Sequence, residues 1–468
     1  MTKKYDIIII GAGSGGLNVA SFMNKVGFNV LLIDKTDHNI GGDCLNFGCV
    51  PSKALIHIAR VIKVAKSSEE FGVTSSGSVD FKKIKSYIKD KQNIIRQHEN
   101  TSYLKNLGLD VILGEASFKD KNTVQVGDQI YVSKKIVVAT GSSPRKLEAG
   151  DINKEKIVTN ETIFDIDKLP EKFIIFGGGP IGIELGQAFS FLGSKVTIIQ
   201  RGDKILNKED PEIINLFEYK LIKDGLEIIY DYEFDSLQDN RVIIKDKNNN
   251  TKSLEYDLIL SSIGRVPNTK SLNLEKAGIE TDKGGHIKVN KYLQTTNKKV
   301  YAIGDVIGGL QFTHAAELHA GLIIRNFFSP FKKKINTDNF AWVTYTSPEI
   351  ATFGLSPQKL NKRKIKYKTL ETSFKDNDRS ITDNNQEGKL KIYIKNNKIL
   401  GGTMMADNAG ELIQELILAN FAKLNINKLF SKTYPYPTAT RINKSLISKY
   451  MSKKLNPLTK SILKLMYH

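Results

Sequence analysis

Four short apolar runs, each ended by glycine, mark the first 305 residues of the chain. They are YDIIII before GAGSGG, KIVV before ATG, FIIF before GGGPIG and VYAI before GD. Short runs of aliphatic and β-branched residues bounded by glycine are typical of buried strands in a parallel sheet. The pattern therefore predicts an α/β fold in which helices alternate with strands.

The pattern changes from about residue 340. WVTYTSPEIATFG and the alternating segment KLKIYIK predict strands, and GELIQELILANFAKL predicts a helix. We expect a separate C-terminal α+β domain here. Its boundary is predicted within the basic, proline-containing stretch SPFKKKINTDNF, residues 329–340.

The first glycine run has the spacing of a dinucleotide-binding turn. Gly11, Gly13 and Gly16 are in G-x-G-x-x-G register, a helix is predicted over residues 17–25, and the strand FNVLLID ends at Asp34. The first glycine permits the tight turn, the second lets the backbone approach a pyrophosphate, and the third lets helix and strand pack closely. The helix N-terminus binds phosphate, and the acid accepts hydrogen bonds from ribose hydroxyls.

The motif recurs once. Gly177, Gly179 and Gly182 follow the run FIIF, and the next strand, KVTIIQ, ends at Gln200. A second dinucleotide site in one chain indicates two nucleotide cofactors, or one cofactor and one nucleotide substrate.

Composition is that of a globular protein with more than one domain: 468 residues, 40 % of them hydrophobic. The start, MTKKYDIIII, leads straight into glycines without a cleavage site, so we predict a cytoplasmic protein. The net charge of +19 admits a nucleic-acid or membrane partner, but no nucleic-acid-binding motif accompanies it. For most of the chain, lysines on an ordinary surface account for the charge.

Both cysteines lie in GGDCLNFGCVPSKALI, residues 41–56. In a reducing compartment a close cysteine pair is more often catalytic or metal-binding than structural. The seven histidines of the chain are scattered and form no zinc pattern, which favours redox catalysis.

Taken together, these segments resemble the flavin-dependent pyridine nucleotide-disulfide oxidoreductases, which include glutathione reductase, dihydrolipoamide dehydrogenase and mercuric reductase. The cysteine segment is similar to the family's redox-active motif, and GAGSGG, ATGSSPR, GGGPIGIE, GRVPN and YAIGD match in order. The resemblance implies an FAD-binding domain from residues 1–150 and 265–335, an NAD(P)-binding domain from 151–264, and a dimerisation domain from 340–468. It also implies a homodimer.

The resemblance further implies that NAD(P)H reduces FAD and that FAD reduces a Cys44–Cys49 disulfide. Cys49 would lie against the flavin as a thiolate, Cys44 would face the acceptor, and Lys53 would pair with Glu184. A helix beginning near Cys49 would lower that thiol's pKa. The cofactor-binding positions implied are Gly11, Gly13, Ser14, Gly15, Gly16, Asp34, Gly42, Asp43, Lys53, Ala139, Thr140, Gly141, Gly177, Gly179, Ile181, Gly182, Glu184, Gln200, Arg201, Gly264, Arg265, Gly304 and Asp305.

The second site gives two signals about the nicotinamide. Gly182 and Gly186 follow the close-packed pattern common in NAD sites. NAD sites usually end the second strand with an acid, however, and here Gln200 is followed by Arg201. An arginine suits a 2′-phosphate, so the prediction is NADPH. The alternative is NADH, in which case the Arg201 side chain would point to solvent.

The chain departs from the family at YPYPTATR, residues 434–441. Glutathione reductase and dihydrolipoamide dehydrogenase carry His-Pro-x-x-x-Glu there, whereas this chain has Tyr436 and Arg441. A tyrosine, with an ordinary pKa of about 10, is a poor proton shuttle at neutral pH. Tyr436 is nevertheless the catalytic candidate at this position.

The departure leaves the acceptor open. A mercuric reductase-like enzyme acting on a soft metal or a disulfide is the first interpretation, although the chain has no cysteine pair near its C-terminus. Dihydrolipoamide dehydrogenase is an alternative, as is a membrane-surface NAD(P)H:quinone-type reductase or a slow redox sensor.

The last 53 residues, 416–468, contain no Asp or Glu. Their apolar residues recur at helical spacing between lysines, and Pro457 predicts a break into two helices with Asn456 capping the second. One interpretation is a basic amphipathic element on an anionic membrane surface. The other is a helix packed on its own dimer.

Overall fold

The structure, a computed structural model, describes residues 3–148, 150 and 153–467. It contains two compact units, one of residues 1–177, 191–201 and 231–335, the other of residues 178–190, 202–230 and 336–468. The predicted boundary at 150/151 lies at Ala149, Asp151 and Ile152, which are outside the described residues. The predicted division into three domains therefore stays a prediction.

The strands and helices are numbered along the chain. The strands are β1 (Lys3–Ile10), β2 (Val30–Asp34), β3 (Asp110–Leu113), β4 (Ala116–Asp120), β5 (Thr123–Val126), β6 (Gln129–Val138), β7 (Ser142–Pro144), β8 (Ile157–Val158), β9 (Lys172–Phe176), β10 (Lys195–Gln200), β11 (Glu227–Tyr230), β12 (Tyr232–Gln238), β13 (Arg241–Asp246), β14 (Thr251–Glu255), β15 (Leu258–Ser261), β16 (Arg265–Pro267), β17 (Val300–Ala302), β18 (Ala341–Thr344), β19 (Glu349–Gly354), β20 (Lys368–Ser373), β21 (Lys389–Lys395) and β22 (Lys398–Ala406). The helices are α1 (Ser14–Lys25), α2 (Gly42–Asn46), α3 (Cys49–Ser67), α4 (Phe81–Arg96), α5 (Thr101–Asn106), α6 (Pro180–Leu192), α7 (Pro211–Lys223), α8 (Thr313–Phe327), α9 (Pro357–Lys362), α10 (Asp378–Thr382), α11 (Ala409–Leu412), α12 (Gln414–Phe421), α13 (Ile426–Ser431), α14 (Arg441–Ser452) and α15 (Pro457–Leu465).

The main sheet of the first unit is built on the parallel strands β3-β2-β1-β6, and β17 also pairs with β6 in parallel. The antiparallel strands β5 and β4 extend this sheet. In β1, Ile8 and Ile10 contribute to one hydrophobic core, while Ile7 and Ile9 contribute to the core on the opposite face. A strand buried on both faces must be apolar throughout, which explains the continuous isoleucine run.

The first unit contains a second parallel arrangement, β10-β9-β15-β8, and an antiparallel meander β12-β13-β14. The predicted α/β class is therefore confirmed. Two bounds differ from the prediction: α1 begins at Ser14 rather than at residue 17, and β2 begins at Val30 rather than at residue 28. Gly13 serves as N-cap in an extended conformation, so the glycines themselves form the first helical turn.

In the second unit, an antiparallel sheet β18-β19-β22-β21-β20 confirms the predicted α+β part. The helix predicted in GELIQELILANFAKL is interrupted after Leu412, giving α11 and α12. The tail forms two helices as predicted, and the Asn456 side chain accepts from the Thr459 N–H at 2.8 Å. Within the part of the chain that the structure describes, no helix is both long and apolar enough to cross a membrane.

Candidate active site

Two glycines of the first turn have no room for a side chain. Gly11 has φ +105°, and a Cβ there would lie 2.4 Å from the carbonyl oxygen of Ala139. A Cβ on Gly16 would lie 1.9 Å from the carbonyl oxygen of Gly11. Only glycine fits either position: at Gly11 both the backbone conformation and the lack of space exclude a side chain, and at Gly16 the lack of space does.

Asp34 at the end of β2 holds the same turn. Its Oδ2 accepts from the Ala12 N–H at 2.6 Å, and its Oδ1 accepts from the Lys35 N–H at 2.7 Å. Burial raises the pKa of Asp34, while these backbone donors oppose that rise. A turn without side chains, a helix N-terminus and a carboxylate are what the pyrophosphate and ribose of FAD require, so these residues fit the cofactor.

Gly42 and Gly15 show how closely this region packs. A Cβ on Gly42 would lie 2.7 Å from the Cα of Gly13, and a Cβ on Gly15 would lie 3.0 Å from Ile303 Cδ1. The start of α2 is therefore placed against the glycine turn. This contact brings the cysteine segment beside the predicted flavin site.

Arg265 contacts three polar side chains, those of the predicted site residues Asp43 and Asp305 and that of Ser142. Its Nη2 lies 3.1 Å from Asp43 Oδ1, and its Nε lies 2.7 Å from Ser142 Oγ and 3.6 Å from Asp305 Oδ2. The Ser142 hydroxyl donates to Asp305 at 2.7 Å. Burial raises the pKa of Asp305, and the Ser142 donor and the Arg265 charge act against that rise.

A second polar link joins the ATG and GRVPN motifs. Thr140 Oγ1 donates to the Asn268 carbonyl oxygen at 2.8 Å, and the Asn268 N–H donates to the Gly141 carbonyl oxygen at 3.0 Å.

Gly304, with φ +75°, donates its N–H to Nδ1 of buried His319 at 3.2 Å. Ser142, Asn268 and His319 were not among the predicted site residues.

The two cysteines flank the turn between α2 and α3. Cys49 is the first residue of α3, as predicted, and its Sγ lies 3.4 Å from Oγ1 of Thr313, the first residue of α8. No disulfide joins Cys44 and Cys49 in this structure. Thr313 was also missed, although its place at a helix start in QFTHAA was a usable signal.

The pKa of the Cys44 thiol lies far above its ordinary value. The largest cause is its hydrogen bond to Cys49, followed by burial and by the electrostatic effect of Cys49. A buried thiol that donates a hydrogen bond is stabilised in its protonated form, which is why the pKa of Cys44 is raised.

Lys53 and Glu184 lie in different units. Lys53 Nζ donates to Ser52 Oγ at 3.4 Å, and Glu184 Oε1 accepts from the Tyr345 N–H at 2.8 Å. Their pairing remains a prediction.

The first glycine of the second turn has the same conformation as the first glycine of the first turn. Gly177 has φ +108°, and a Cβ there would lie 2.4 Å from the carbonyl oxygen of Ser262. β10 ends at Gln200 as predicted; Gln200 is half-buried and Arg201 is exposed. The other predicted positions of this site are Gly179 before α6, Ile181 and Gly182 in its first turn, and Gly264, which has φ +121°.

Tyr436 is open to solvent, with 68 % of its surface exposed. The guanidinium carbon of Arg441 lies 5.4 Å from the centre of its ring, and Arg441 Nη1 donates to the Tyr434 carbonyl oxygen at 3.2 Å. A cation thus faces the aromatic ring at the position where the family carries His and Glu. Among the described residues, no group of three or more His, Cys, Asp or Glu side chains could hold a metal ion.

The two glycine turns and the dithiol define a flavin- and nicotinamide-dependent disulfide oxidoreductase. Residues 5–320 match the family described as pyridine nucleotide-disulphide oxidoreductase, and residues 340–446 match its dimerisation domain. The chain belongs to this family, whose cofactors are FAD and NAD(P)H.

Curated relatives include two enzymes of different name. A mercuric reductase of Staphylococcus aureus is 33 % identical over 440 residues, covering 93 % of this chain and 80 % of that protein. A dihydrolipoyl dehydrogenase of Buchnera aphidicola subsp. Baizongia pistaciae is 35 % identical over 461 residues, covering 94 % of each.

Among solved structures, the HOCl-induced flavoprotein disulfide reductase RclA from Escherichia coli superposes with a TM-score of 0.85 at 26 % identity, covering 95 % of this chain and 99 % of that one. A Cu(II) complex of RclA matches equally, with a TM-score of 0.85.

Proposed function

We propose that this chain is a cytoplasmic homodimeric reductase that uses FAD and NADPH, with NADH as the alternative donor. Electrons reach a Cys44–Cys49 disulfide and pass from Cys44 to a thiophilic acceptor. That acceptor is a soft metal ion or a small disulfide. The homodimer is supported by the match to the dimerisation domain over residues 340–446.

One observation carries the proposal: the Cys44 thiol is hydrogen-bonded to Cys49, and this bond together with burial raises the pKa of Cys44 far above its ordinary value. The two thiols are therefore assigned different roles. Cys49, at the N-terminus of α3, is the thiol that the helix and the Thr313 hydroxyl can stabilise as a thiolate.

Bound FAD supplies two-electron transfer between nicotinamide and the disulfide. The residues that would hold it are the Gly11 turn, Asp34 and the Arg265–Asp43–Asp305 cluster. The dithiol left on the protein is a soft ligand pair, suited to soft metal ions as well as to disulfide exchange.

The missing histidine, rather than the relatives, favours a metal ion or a small disulfide over lipoamide, because mercuric reductases and dihydrolipoyl dehydrogenases both match this chain. The sequence has no histidine between His319 and His468, so a His at the family's C-terminal position is missing. Mercuric reductases and the Cu(II) complex of RclA are among the proteins that match this chain.

The test is NADPH oxidation by the flavin-loaded enzyme with Hg²⁺, Cu²⁺, lipoamide, oxidised glutathione or a soluble quinone, in wild type and Cys44→Ser. We expect turnover with a metal ion or a disulfide, and loss of that turnover by a factor of about 1,000 in Cys44→Ser. Flavin reduction by NADPH serves as the internal control and should persist. Equal turnover by Cys44→Ser would contradict the proposal.

A second candidate, a membrane-surface quinone reductase, is favoured by α15. This helix buries no residue, Leu458 and Leu465 are 70 % and 86 % exposed, and its only charged residues are Lys460 and Lys464. Such a helix is suited to an anionic lipid surface. Cosedimentation with phosphatidylserine vesicles, abolished in Leu458→Ser/Leu465→Ser, would support it; equal binding to neutral vesicles or no binding would exclude it.

A further inference from the structure

A cavity of about 300 Å³ lies in the second unit, between α14 and residues 373–379, the segment that joins β20 to α10. We call it the α14 cavity. Asn377 Nδ2 donates to the Ala439 carbonyl oxygen at 3.4 Å, which ties this segment to the residues before α14. A cavity of this volume can hold a small molecule.

The lining of the α14 cavity is mostly polar and has an excess of positive charge. Four cations and two carboxylates line it, which leaves a net charge of +2. The cations are Arg379, Arg441, Lys444 and Lys449, and the carboxylates are Asp376 and Asp378.

Two of the four cations have acidic partners. Arg379 Nε lies 2.6 Å from Asp383 Oδ2, and Lys449 Nζ lies 3.9 Å from Asp376 Oδ2. The charge of the cavity is therefore set mainly by the other two cations.

Arg441 and Lys444 are these two cations, and both are half-buried. Within the part of the chain that the structure describes, no carboxylate lies at ion-pairing distance from either. The Arg441 guanidinium group donates to the Tyr434 carbonyl oxygen and faces the Tyr436 ring, so its position is fixed. A fixed, partly desolvated guanidinium group attracts an anion more strongly than a solvated one.

Two hydroxyl groups lie on the same face of α14. Ser445 and Ser448 follow Arg441 at the spacing of one helix face, and both line the cavity. Among residues 3–148, 150 and 153–467, neither hydroxyl has a hydrogen-bond partner. Both can therefore donate to a ligand, and the positive end of the α14 dipole adds to the attraction for an anion.

The positive charge of this cavity belongs to this chain. Arg441 occupies the position at which glutathione reductase and dihydrolipoamide dehydrogenase carry Glu, and residues 416–468 contain no Asp or Glu. No acidic residue of α14 can therefore neutralise the two cations.

We propose that the α14 cavity binds a small phosphate monoester, such as a sugar phosphate. Arg441 and Lys444 contact its phosphate group, and Ser445 and Ser448 donate hydrogen bonds to it. A phosphate dianion matches two cations, whereas a single carboxylate would leave one of them unpaired. The site goes beyond the proposed function, because it does not involve the two cysteines.

The test is calorimetric titration of the flavin-loaded protein with glucose 6-phosphate and with inorganic phosphate. NADP⁺ is present at saturation, so that the nicotinamide site cannot take up either probe. We expect a dissociation constant below about 1 mM for glucose 6-phosphate, no binding of glucose, and weaker binding as the salt concentration rises. Absence of binding by both phosphate probes would overturn the proposal.

Lys444→Gln removes the charge and keeps most of the side chain. Because a charge-assisted hydrogen bond is lost, the dissociation constant of glucose 6-phosphate should rise at least about 10-fold. Lys453→Gln removes an equal charge one residue after α14 and outside the cavity, and should bind as wild type does. Wild-type binding by Lys444→Gln, or equal weakening by both variants, would contradict the assignment.

Ser448→Ala is a second variant whose effect does not depend on net charge. It removes one neutral donor, so binding should weaken by about 2- to 10-fold. This variant decides the question if Lys444→Gln loses its flavin or melts at a lower temperature than wild type. An unchanged dissociation constant in Ser448→Ala would then overturn the proposal.

The same phosphate group also occurs on lipids. Vesicles containing phosphatidic acid should not displace glucose 6-phosphate from the wild-type protein. Displacement by the vesicles would show that the ligand is a lipid headgroup rather than a small soluble molecule. None of these measurements uses electron transfer, so this proposal and the proposed function can fail separately.

Discussion

The two glycine turns begin with the same backbone conformation and have different chemistry beside it. Gly11 and Gly177 have φ values of +105° and +108°, and a Cβ on either would lie 2.4 Å from the carbonyl oxygen of the residue that follows a neighbouring strand. The next strand, however, ends in half-buried Asp34 after the first turn and in half-buried Gln200, followed by exposed Arg201, after the second.

This difference separates what makes a nucleotide site from what selects the nucleotide. The first glycine of each turn is required by sterics, because the close approach that a pyrophosphate needs leaves no room for a side chain there. In the proposed complex the residue at the end of the second strand contacts the ribose, so a change of charge there would change the preferred nucleotide and leave the fold intact.

The largest effect is expected from Gly11→Ala. The new methyl group would overlap the Ala139 carbonyl oxygen, so the turn must open and FAD binding should be lost with all activity. The flavin absorbance of the purified protein measures this. Gly27→Ala is the matched control, since Gly27 has φ +96° but open space around it; it should cost about 1–2 kcal/mol of stability and keep its flavin. If Gly11→Ala is purified with its flavin, the steric requirement for glycine at this turn of the FAD site is contradicted.

Gly177→Ala should act on the nicotinamide alone. The overlap with the Ser262 carbonyl oxygen is equal, so we expect the KM for NADPH to rise at least about 10-fold while FAD stays bound. Steady-state kinetics with a fixed acceptor give this KM. Gly193→Ala, with φ +119° and open space, is the control. Loss of flavin from Gly177→Ala would show that the two turns do not serve separate ligands.

The double change Gln200→Glu/Arg201→Ser tests nucleotide choice. Removing the cation and adding an acid should shift the ratio of kcat/KM for NADPH over NADH by about 10- to 100-fold toward NADH, since a charge-assisted contact is worth about 1.5–3 kcal/mol. Kinetics with both nucleotides measure the ratio. An unchanged ratio would mean that Arg201 faces solvent in the complex.

The smallest effect concerns the pH dependence of stability near the first turn. Burial lowers the pKa of His319 from 6.5 to about 4. The unfolded chain therefore binds the proton first, so stability is full above pH 6.5 and falls as the pH drops toward 4. The loss between pH 7 and pH 5 should be about 2 kcal/mol for this group.

Urea unfolding at the two pH values measures that loss, and His319→Gln should remove this part of it. If His319→Gln shows the wild-type pH dependence, the buried histidine is not its source.

Much of the fold follows from local rules. The glycine-ended strands, the start of α3 at Cys49 and the break before Pro457 are each set by residues close in sequence, and each was predicted. The early start of α1 was missed, because glycines have low helix propensity and only the packing of this turn makes them helical.

The site was less predictable where its partners are distant in sequence. Arg265 and Asp43 are 222 residues apart, and Cys49 and Thr313 are 264 apart. Glu99 lies in a connection without a motif, yet its carboxyl group lies close to the backbone of Gly41, where a side chain would collide with it. Such contacts follow from the tertiary fold rather than from spacing.

The most direct test of the electron route is thiol labelling of the flavin-loaded protein before and after anaerobic reduction with NADPH. After air oxidation, the peptide containing residues 41–56 should carry no label and one internal disulfide. After NADPH, both Cys44 and Cys49 should be labelled. Equal labelling of both thiols before and after NADPH would contradict the account, because the cysteines would then take no part in electron transfer.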